Sequence, residues 1–371
     1  MKNSVLLISG IYPPDTGGPA SFTEDFSEWL HRKNQNVSII TYTDGPSRIE
    51  CLDSKKITYV HRYKNLPKRY ACFIWNILRN YDSTVKVLVA GAFLEVMLAS
   101  LVRRIKYSVK IPGDIVWERA RNSKITDLNI YDFQYSKLTF KYRFFRTLFT
   151  LSMNRAENVV VPSEVLRKLV VHWIGYRKPV ELIYNSIDSS KFPGATPGSK
   201  KFDVITACRL VPWKGVDELI QCCKDLNLTL GIAGEGPDEG RLKQLASELG
   251  ADVTFLGQVP KKEISKFYSS GEFFVLNSSY EGLPHALLEA KAVGLLCIGR
   301  LGTGSEEVIT HLKDGLLVGG EAGNTLVETL RNAISDSELV KRLRLNARDD
   351  VAKRFDRDVN FQQIYRILAR A

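Results

Sequence analysis

Residues 273–298 have the sequence FFVLNSSYEGLPHALLEAKAVGLLCI, and this stretch indicates the fold of the second half of the chain. The apolar run at 273–276 is typical of a buried strand and leads into a polar loop. Pro284 is a residue favoured at the opening of a helix, and a second apolar run follows that helix at 296–298. A strand, a helix and a further strand in this order predict a parallel sheet with helices packed on its faces.

The same alternation continues along the whole chain. Further runs interpreted as strands are residues 5–9, 37–41, 85–90 and 159–161 in the first half, and 204–208, 228–233 and 253–256 in the second. A stretch rich in Pro, Gly, Ser and Lys at 192–201 is typical of a linker. We therefore expect an α/β protein with two Rossmann-like, doubly wound parallel-sheet domains, at 1–185 and 186–350, that face a central cleft. Residues 351–371 are expected to form a C-terminal helix that packs back on the N-terminal domain.

The composition is that of an ordinary globular protein. Hydrophobic residues make up 44% and charged residues 25% of the 371 residues, which argues against a disordered chain. No apolar run approaches the ~18–20 residues that cross a bilayer, and the run at 5–8 is too short for a signal-peptide core. None of the six cysteines has metal-binding spacing, so we expect free thiols in a reducing compartment. These features predict a cytoplasmic protein.

The excess of positive charge lies entirely in the first half. The formal net charge is +11, with +12 over residues 1–185 and −1 over residues 186–371. Such an asymmetry attracts an anionic partner, and nucleic acid, acidic lipid headgroups and an acidic substrate all meet this description.

Two segments of the first half combine cations with large aromatic residues. Residues 137–155 contain five cations, four phenylalanines and no acidic residue, and residues 62–79 have a similar composition. Apolar positions 138, 142, 145 and 149 share one helical face, so core packing explains part of the pattern. The surplus of aromatic and basic residues is equally typical of a helix that lies on an anionic membrane.

Two loops that follow predicted strands suit a phosphate-bearing ligand. Gly17 and Gly18 precede the first helix, where the backbone can approach an anion, although a tight turn explains them as well. Arg209 and Lys214 lie just past a predicted strand, where two cations can bind the two phosphates of a diphosphate. The alternative interpretation is that Arg209 and Lys214 are two solvated charges on the protein surface.

Two carboxylates accompany the helix that Pro284 opens. Glu281 lies in the preceding loop, and Glu289 lies one turn beyond His285 on the same helical face. Carboxylates so placed suit a polyhydroxylated ligand, because one can accept from sugar hydroxyls and the other from ribose hydroxyls. A solvated surface position is the alternative for Glu289.

Together these residues resemble the retaining glycosyltransferases of family 4, also called glycosyl transferases group 1. In that family a GT-B architecture places two Rossmann-like domains around a nucleotide-sugar cleft, with the N-terminal domain on the acceptor side. The matching stretches run in family order from residue 10 to about residue 320 and include Gly17-Gly18, Pro162-Ser163, residues 184–188, Arg209 with Lys214-Gly215, residues 234–237, residues 281–290, residues 307–309 and Asp314-Gly315.

The resemblance implies roles for individual residues. Arg209 and Lys214 would stabilise the charge on the departing nucleoside diphosphate, and Glu281 would bind hydroxyls of the transferred sugar. The implied donor-binding residues are Gly17, Gly18, Gly234, Val259, Gly282, Leu283, Pro284, His285 and Glu289. Such enzymes retain the anomeric configuration, need no metal and use no cofactor beyond the UDP- or GDP-sugar substrate.

One position departs from the family pattern. Many relatives have a histidine at the donor sugar after a strand of the first domain, whereas residues 110–118 contain none. Asp114 is the candidate that replaces this histidine as a catalytic residue, and capping of a turn is the alternative. The D-x-D sequence Asp356-Arg357-Asp358 precedes a helical stretch, so we expect helix capping there and no metal site.

The predicted function is transfer of a sugar from a nucleotide-sugar donor to a lipid-linked, polysaccharide or lipopolysaccharide acceptor at the cytoplasmic membrane face, with peripheral contact to acidic lipid. A soluble glycosyltransferase that makes a small glycoside or disaccharide is the alternative. A nucleic-acid partner is not expected, because no RNA- or DNA-binding motif accompanies the charge and the glutamates would repel phosphates.

Overall fold

The computed structural model describes residues 4–15, 17–52, 55–194, 200–319 and 323–370, and it divides the chain into two compact units. The first unit contains Met1–Ile183 and Asp358–Ala371, and the second contains Tyr184–Arg357. The division after Ile183 lies close to the predicted boundary at residue 185. The linker predicted at 192–201 lies within the second unit, and its residues 195–199 fall outside the described residues.

The first unit is built on an eight-stranded sheet. Its strands are β1 (Ser4–Ile8), β2 (Asn36–Thr43), β3 (Arg48–Leu52), β4 (Lys55–His61), β5 (Lys86–Val89), β6 (Ser108–Lys110), β7 (Asn158–Val161) and β8 (Val180–Leu182). Its helices are α1 (Gly18–Arg32), α2 (Leu66–Asn80), α3 (Phe93–Val102), α4 (Ile115–Asn122), α5 (Ile130–Tyr135), α6 (Phe140–Arg155) and α7 (Glu164–Ile174). The strand order is β3-β4-β2-β1-β5-β6-β7-β8, and all neighbouring pairs are parallel except β3 with β4.

The antiparallel strand β3 departs from the purely parallel sheet that the sequence predicts. All five residues of β3 are exposed or half-buried at the sheet edge, so the strand has no apolar run to reveal it. The sequence patterns also did not predict β4, which has seven residues, or β6, β8 and β14, which have three residues each.

The second unit is built on a six-stranded sheet that is parallel throughout. Its strands are β9 (Phe202–Ala207), β10 (Leu230–Ala233), β11 (Val253–Phe255), β12 (Gly271–Leu276), β13 (Leu296–Arg300) and β14 (Leu316–Val318), in the order β11-β10-β9-β12-β13-β14. Its helices are α8 (Val216–Asp225), α9 (Glu239–Leu249), α10 (Ile264–Ser269), α11 (His285–Val293), α12 (Leu326–Ser335) and α13 (Ser337–Arg354). Successive residues of β9 enter separate cores, Val204 one and Ile205 the other, so both faces of the sheet are covered.

The C-terminal helix α14 (Arg357–Arg370) packs in the first unit. The ring of Phe361 lies 5.1 Å from that of Phe26 and 6.1 Å from that of Trp29, centroid to centroid. The helix begins later than the predicted start at residue 351, because residues 351–354 belong to α13.

Within the described part of the chain, no helix combines the length and the apolar character needed to span a bilayer. The six cysteines are free thiols, of which Cys222, Cys223 and Cys297 are buried and Cys51 is exposed.

Candidate active site

The predicted donor-site residues of the second unit lie at the carboxyl edge of its sheet. Strands β9 and β12 are neighbours, but the chain leaves β9 toward β10 on one side and leaves β12 toward β13 on the other. Such a reversal opens a crevice between the loops that follow the two strands, and doubly wound sheets bind ligands there. The loop after β9 carries Arg209 and Lys214, and the loop after β12 carries Glu281.

Lys214 and Glu281 form an ion pair between these two loops. The Nζ of Lys214 lies 2.5 Å from Oε1 of Glu281, and the two side chains are only 16% and 12% exposed. A charge-assisted hydrogen bond at this depth is less screened by water than a surface pair. Arg209 is exposed, and among the described residues none forms an ion pair with its guanidinium group.

A tight turn at Gly215 holds the backbone beside Lys214. Gly215 has a φ of +61°, and a Cβ at this position would lie 2.6 Å from the carbonyl oxygen of Asn277. The backbone N–H of Ser279 donates to the carbonyl of Trp213 at 2.8 Å. The loop after β12 is therefore joined to the turn that carries Lys214, and only glycine fits at the closest approach.

A polar cluster of Asn277, Arg300 and Glu218 supports the same turn. The Nδ2 of Asn277 donates to the Gly215 carbonyl at 3.0 Å and to Glu218 at 2.9 Å. Arg300 donates to Asn277 Oδ1 at 2.8 Å and to Glu218 at 2.6 Å. Sequence reasoning missed this cluster, although a polar residue directly after the apolar run 273–276 was a signal for it.

The loop that contains Glu281 leads into the uncapped start of α11. Pro284 is the N-cap residue and makes no side-chain cap, so the N–H groups of the first turn can donate to an anion. His285 is the first helical residue and is half-buried, and Leu283 is buried. A Cβ on Gly304 would lie 2.4 Å from the Glu281 carbonyl oxygen, so the loop is packed closely against its neighbour.

Glu289 is held by Tyr268. The Tyr268 hydroxyl donates to Oε2 of Glu289 at 2.8 Å. Burial of Tyr268, reinforced by the neighbouring Glu289 charge, raises the pKa of its hydroxyl well above the ordinary value, so the group stays a donor. Glu289 is therefore a positioned carboxylate and not the solvated surface group that the sequence also allowed.

Gly234 and Val259 lie in the loops after β10 and β11. Gly234 has a φ of +125°, and a Cβ there would lie 1.9 Å from the Cys208 carbonyl oxygen. The Gly234 N–H donates to the Gly257 carbonyl at 2.7 Å, and Val259 packs half-buried against the core. Gly234 is thus required for close packing of the loop that leads to Arg209.

Gly17 and Gly18 open α1 in the first unit. Gly17 is the N-cap, no side chain caps the helix, and the first turn contains no acidic residue. The N–H groups of this turn therefore suit an anion. Residue 16 of the predicted glycine-rich loop lies outside the described residues.

Asp114 is a fully buried helix cap. Its Oδ1 accepts from the backbone N–H groups of Val116 at 3.0 Å and Trp117 at 3.1 Å. Its Oδ2 accepts from Arg146 at 3.0 Å and Gln134 at 3.1 Å. Four hydrogen bonds occupy this carboxylate, so its contacts favour the capping alternative over the predicted contact with a sugar.

Helix α6 has one buried face and one exposed face. Arg146 is one of the five cations of the segment 137–155, but its side chain is only 15% exposed and pairs with Asp114, so it does not belong to the exposed basic surface. Phe140 and Phe144 are 77% and 54% exposed. Lys141 and Arg143 are exposed beside them. Core packing therefore explains one face of the helix, and the other face is exposed.

The D-x-D residues lie around the start of α14. Asp356 precedes the helix, and Asp358 lies in its first turn, where a carboxylate interacts favourably with the helix dipole. Across the described residues, no group of three or more His, Cys, Asp or Glu side chains is arranged to hold a metal ion.

Comparison with known proteins defines the class of this protein. A family model described as "Glycosyltransferase Family 4" matches residues 16–191, and one described as "Glycosyl transferases group 1" matches residues 189–350. The two matches extend over both parallel-sheet units, so the chain belongs to this glycosyltransferase family and has the GT-B fold. The fold class and the family expected from the sequence are confirmed.

Individual proteins resemble the chain over part or all of its length. The lipopolysaccharide core biosynthesis glycosyltransferase LpsD of Rhizobium meliloti is 31% identical over 196 residues, which cover 50% of this chain and 56% of LpsD. The sucrose-phosphate synthase of Thermosynechococcus elongatus superposes with a TM-score of 0.82 at 16% identity, over 100% of this chain and 99% of the synthase. Anabaena HepE, solved in complex with UDP and glucose, superposes with a TM-score of 0.77 at 18% identity, over 99% and 100%. The structural likeness at these identities shows the fold.

Proposed function

We propose that the protein is a retaining hexosyltransferase that moves a sugar from a UDP- or GDP-sugar to a lipid-linked or polysaccharide acceptor at the cytoplasmic face of a membrane. The Lys214–Glu281 ion pair at the switch point of the second sheet is the observation that carries this proposal. HepE, solved with UDP and glucose, and LpsD, named for lipopolysaccharide core biosynthesis, support it as relatives.

The proposed reaction exchanges one bond at the anomeric carbon of the donor sugar. The bond to the diphosphate oxygen breaks, and its electron pair stays on the diphosphate. The acceptor hydroxyl oxygen bonds to the anomeric carbon on the same face, and the hydroxyl proton passes to the departing diphosphate. The main electrostatic demand is therefore stabilisation of the charge that develops on the diphosphate.

Lys214 and Arg209 are suited to this demand. An ammonium group carries three N–H donors, so Lys214 can hold Glu281 and donate to a phosphate oxygen at the same time. The exposed guanidinium group of Arg209 can bind a phosphate through two parallel hydrogen bonds. We propose that these cations, with the uncapped N–H groups of α11, neutralise the diphosphate without a divalent metal.

The two glutamates are proposed to bind hydroxyl groups of the donor. Lys214 contacts Oε1 of Glu281, which leaves Oε2 to accept from a hydroxyl of the transferred sugar. A carboxylate can accept about four hydrogen bonds, so Glu289 can bind ribose hydroxyls while Tyr268 holds it in place.

The exposed face of α6 supports membrane contact of the first unit. This face, defined by Phe140, Lys141, Arg143 and Phe144, combines two exposed aromatic rings with two exposed cations. Each cation near an anionic leaflet contributes about 1 kcal/mol, and buried aromatic rings add affinity that salt does not screen. The net charge of +12 over residues 1–185 also favours contact with an anionic membrane.

Thermal unfolding with nucleoside diphosphates tests the donor assignment. A ligand at 100 times its Kd stabilises the folded state by ~2.7 kcal/mol, so we expect UDP or GDP to raise the Tm. Lys214→Ala should reduce this rise, whereas Lys353→Ala, an exposed position on α13, should leave it unchanged. A folded parent protein whose Tm responds to neither diphosphate would contradict the assignment.

A further inference from the structure

The first unit contains a cavity of about 540 Å³ that the proposed donor site leaves unassigned. The cavity lies at the carboxyl edge of the eight-stranded sheet, where the chain leaves β1 toward β2 on one side and β5 toward β6 on the other. Gly10 and Gly91 line it just after β1 and β5, and a Cβ on Gly91 would lie 2.5 Å from the Gly10 nitrogen. The cavity therefore occupies the switch point of this sheet and has a volume typical of small-molecule sites.

Part of the lining is aromatic and apolar. Helix α6 contributes Phe145, Leu148 and Phe149 through the side that is not exposed, and α3 contributes Phe93. The rings of Phe93 and Phe149 lie 5.3 Å apart, centroid to centroid. An alkyl or isoprenoid chain against these side chains would be removed from water.

Another part of the lining carries cations. Arg62 is neutralised, because it lies 3.0 Å from Asp15 and 3.0 Å from Asp44. Arg69 and Arg119 also line the cavity, and neither forms an ion pair with another of the described residues. The Nε of Arg69 is buried and has no hydrogen-bond partner.

The carboxyl group of Glu95, which lines the same cavity, does not cancel these charges. Glu95 is 8% exposed, and the Tyr42 hydroxyl donates to its Oε1 at 2.8 Å. Burial raises the pKa of Glu95 above its ordinary value, against the lowering effect of Arg69 and Arg119. Even as a carboxylate, Glu95 carries one negative charge against the two positive charges of Arg69 and Arg119, so these three groups keep an excess of positive charge.

We propose that this cavity binds an alkyl or isoprenoid phosphate, whose phosphate pairs with Arg69 and Arg119 and whose chain lies against Phe93 and Phe149. Guanidinium groups bind phosphate through charge-assisted hydrogen bonds. A neutral sugar would leave the charge of both arginines without a counter-charge, and inorganic phosphate would leave the aromatic lining uncovered. That this amphiphile is the lipid end of the acceptor rests on the proposed function, whereas its binding does not.

Isothermal titration of the full chain with decyl phosphate, below the concentration at which it forms micelles, tests the proposal. We expect decyl phosphate to bind at least tenfold more tightly than decanol and than inorganic phosphate. Arg69→Gln and Arg119→Gln should each weaken binding about tenfold. The control Arg79→Gln, at an exposed position of α2 outside the cavity lining, should leave the binding of decyl phosphate unchanged. Arg119 is exposed, so its variant keeps the test valid if Arg69→Gln does not fold.

Three outcomes would overturn the proposal. If decanol binds as tightly as decyl phosphate, the phosphate group does not contribute to binding. If inorganic phosphate binds as tightly as decyl phosphate, the aromatic lining does not contribute. Parent-like affinity in both arginine variants would remove the assignment to this cavity. Titration with UDP and GDP on the same proteins separates this proposal from the proposed function. If the parent binds decyl phosphate but neither diphosphate, the donor assignment fails and the cavity assignment stands.

Discussion

At the scale of single residues, the proposed chemistry depends on how Lys214 is held. Its Nζ is fixed 2.5 Å from Glu281, and its side chain is only 16% exposed. A cation that is already in position stabilises developing charge without reorganisation during the reaction. A surface lysine would have to be ordered first, at a cost in side-chain entropy.

Replacement of Lys214 by Ala should lower kcat by about 10²–10³, because one preorganised charge is lost from the transition state. Binding of the nucleoside diphosphate should weaken less, since Arg209 and the helix N–H groups remain. Steady-state kinetics and titration with the diphosphate measure the two effects, with Lys353→Ala as the control. A folded Lys214→Ala enzyme with parent-like turnover would refute the role.

Lys110 should make stability depend on pH. The side chain is 5% exposed, its Nζ lies 4.6 Å from the Phe22 ring centroid, and burial lowers its pKa to about 7. The pKa in the unfolded chain is about 10.4, so above pH 7 the unfolded chain holds a proton that the folded chain releases. The free energy of unfolding should therefore rise by about 2 kcal/mol from pH 7 to pH 9 through this group.

Urea unfolding at pH 7 and pH 9 measures this rise in the parent, in Lys110→Met and in Lys106→Met, a control at an exposed position. The rise should be smaller by about 2 kcal/mol in Lys110→Met and unchanged in Lys106→Met. The same pH dependence in all three proteins would mean that Lys110 keeps an ordinary pKa.

At the scale of structural elements, the loops after β9 and β12 act as one assembly. The Ser279 N–H donates to Trp213, and Asn277 donates to Gly215, so the loop after β12 holds the turn that carries Lys214. Local sequence patterns do not show that the two loops are joined, because 67 residues separate Lys214 from Glu281.

Asn277→Ala should therefore affect both stability and catalysis. Loss of a buried hydrogen-bonding side chain should destabilise the protein by about 1–3 kcal/mol. Displacement of the Lys214 turn should lower kcat about tenfold or more, with a smaller change in KM. Urea unfolding and steady-state kinetics test this, with Gln244→Ala on the exposed side of α9 as the control. Reduced stability with unchanged kcat would make Asn277 structural only.

The exposed face of α6 gives a second prediction at this scale. Lys141→Glu combined with Arg143→Glu should weaken binding to acidic vesicles about tenfold or more, because each cation contributes about 1 kcal/mol. Lys341→Glu combined with Arg342→Glu changes the net charge equally at exposed positions of α13 and should have little effect. Vesicle flotation at low and physiological salt measures binding. Parent-like flotation of the α6 variant would favour the soluble-acceptor alternative.

At the scale of the whole molecule, the two units differ in charge and in the ligands that they suit. Residues 1–185 carry +12 and include the cavity lined by Arg69 and Arg119, whereas residues 186–371 carry −1 and include the Lys214–Glu281 pair. Under the proposed function, the diphosphate of the donor is attracted by a few positioned cations of the second unit, and an anionic membrane is attracted by the net positive charge of the first.

Activity of the whole enzyme should be unchanged after removal of divalent metals with EDTA, because cationic side chains are proposed to neutralise the diphosphate. Radiometric or coupled assays of sugar transfer, with and without added Mn²⁺, measure this. Complete loss in EDTA with recovery in Mn²⁺ would reverse the proposal and restore Asp356 and Asp358 as candidate ligands.

The α/β class, the approximate place of the domain boundary and the loops that carry Arg209, Lys214 and Glu281 all follow from local patterns of the chain. Burial of a strand or of one helix face leaves a periodic apolar pattern within a few neighbouring residues, so these features need no knowledge of distant contacts. The edge strand β3 lacked that pattern and was missed.

Contacts between distant segments were decided only by the tertiary structure. The sequence allows Asp114 to contact a sugar or to cap a turn, and it does not show that Arg146 is the partner of Asp114; the tertiary structure places the two side chains 3.0 Å apart. The support of Gly215 by Asn277 and the cavity around Arg69 likewise depend on which strands become neighbours in each sheet. Strand neighbours are chosen by the combined burial of many residues far apart in the chain, and no local spacing encodes that choice.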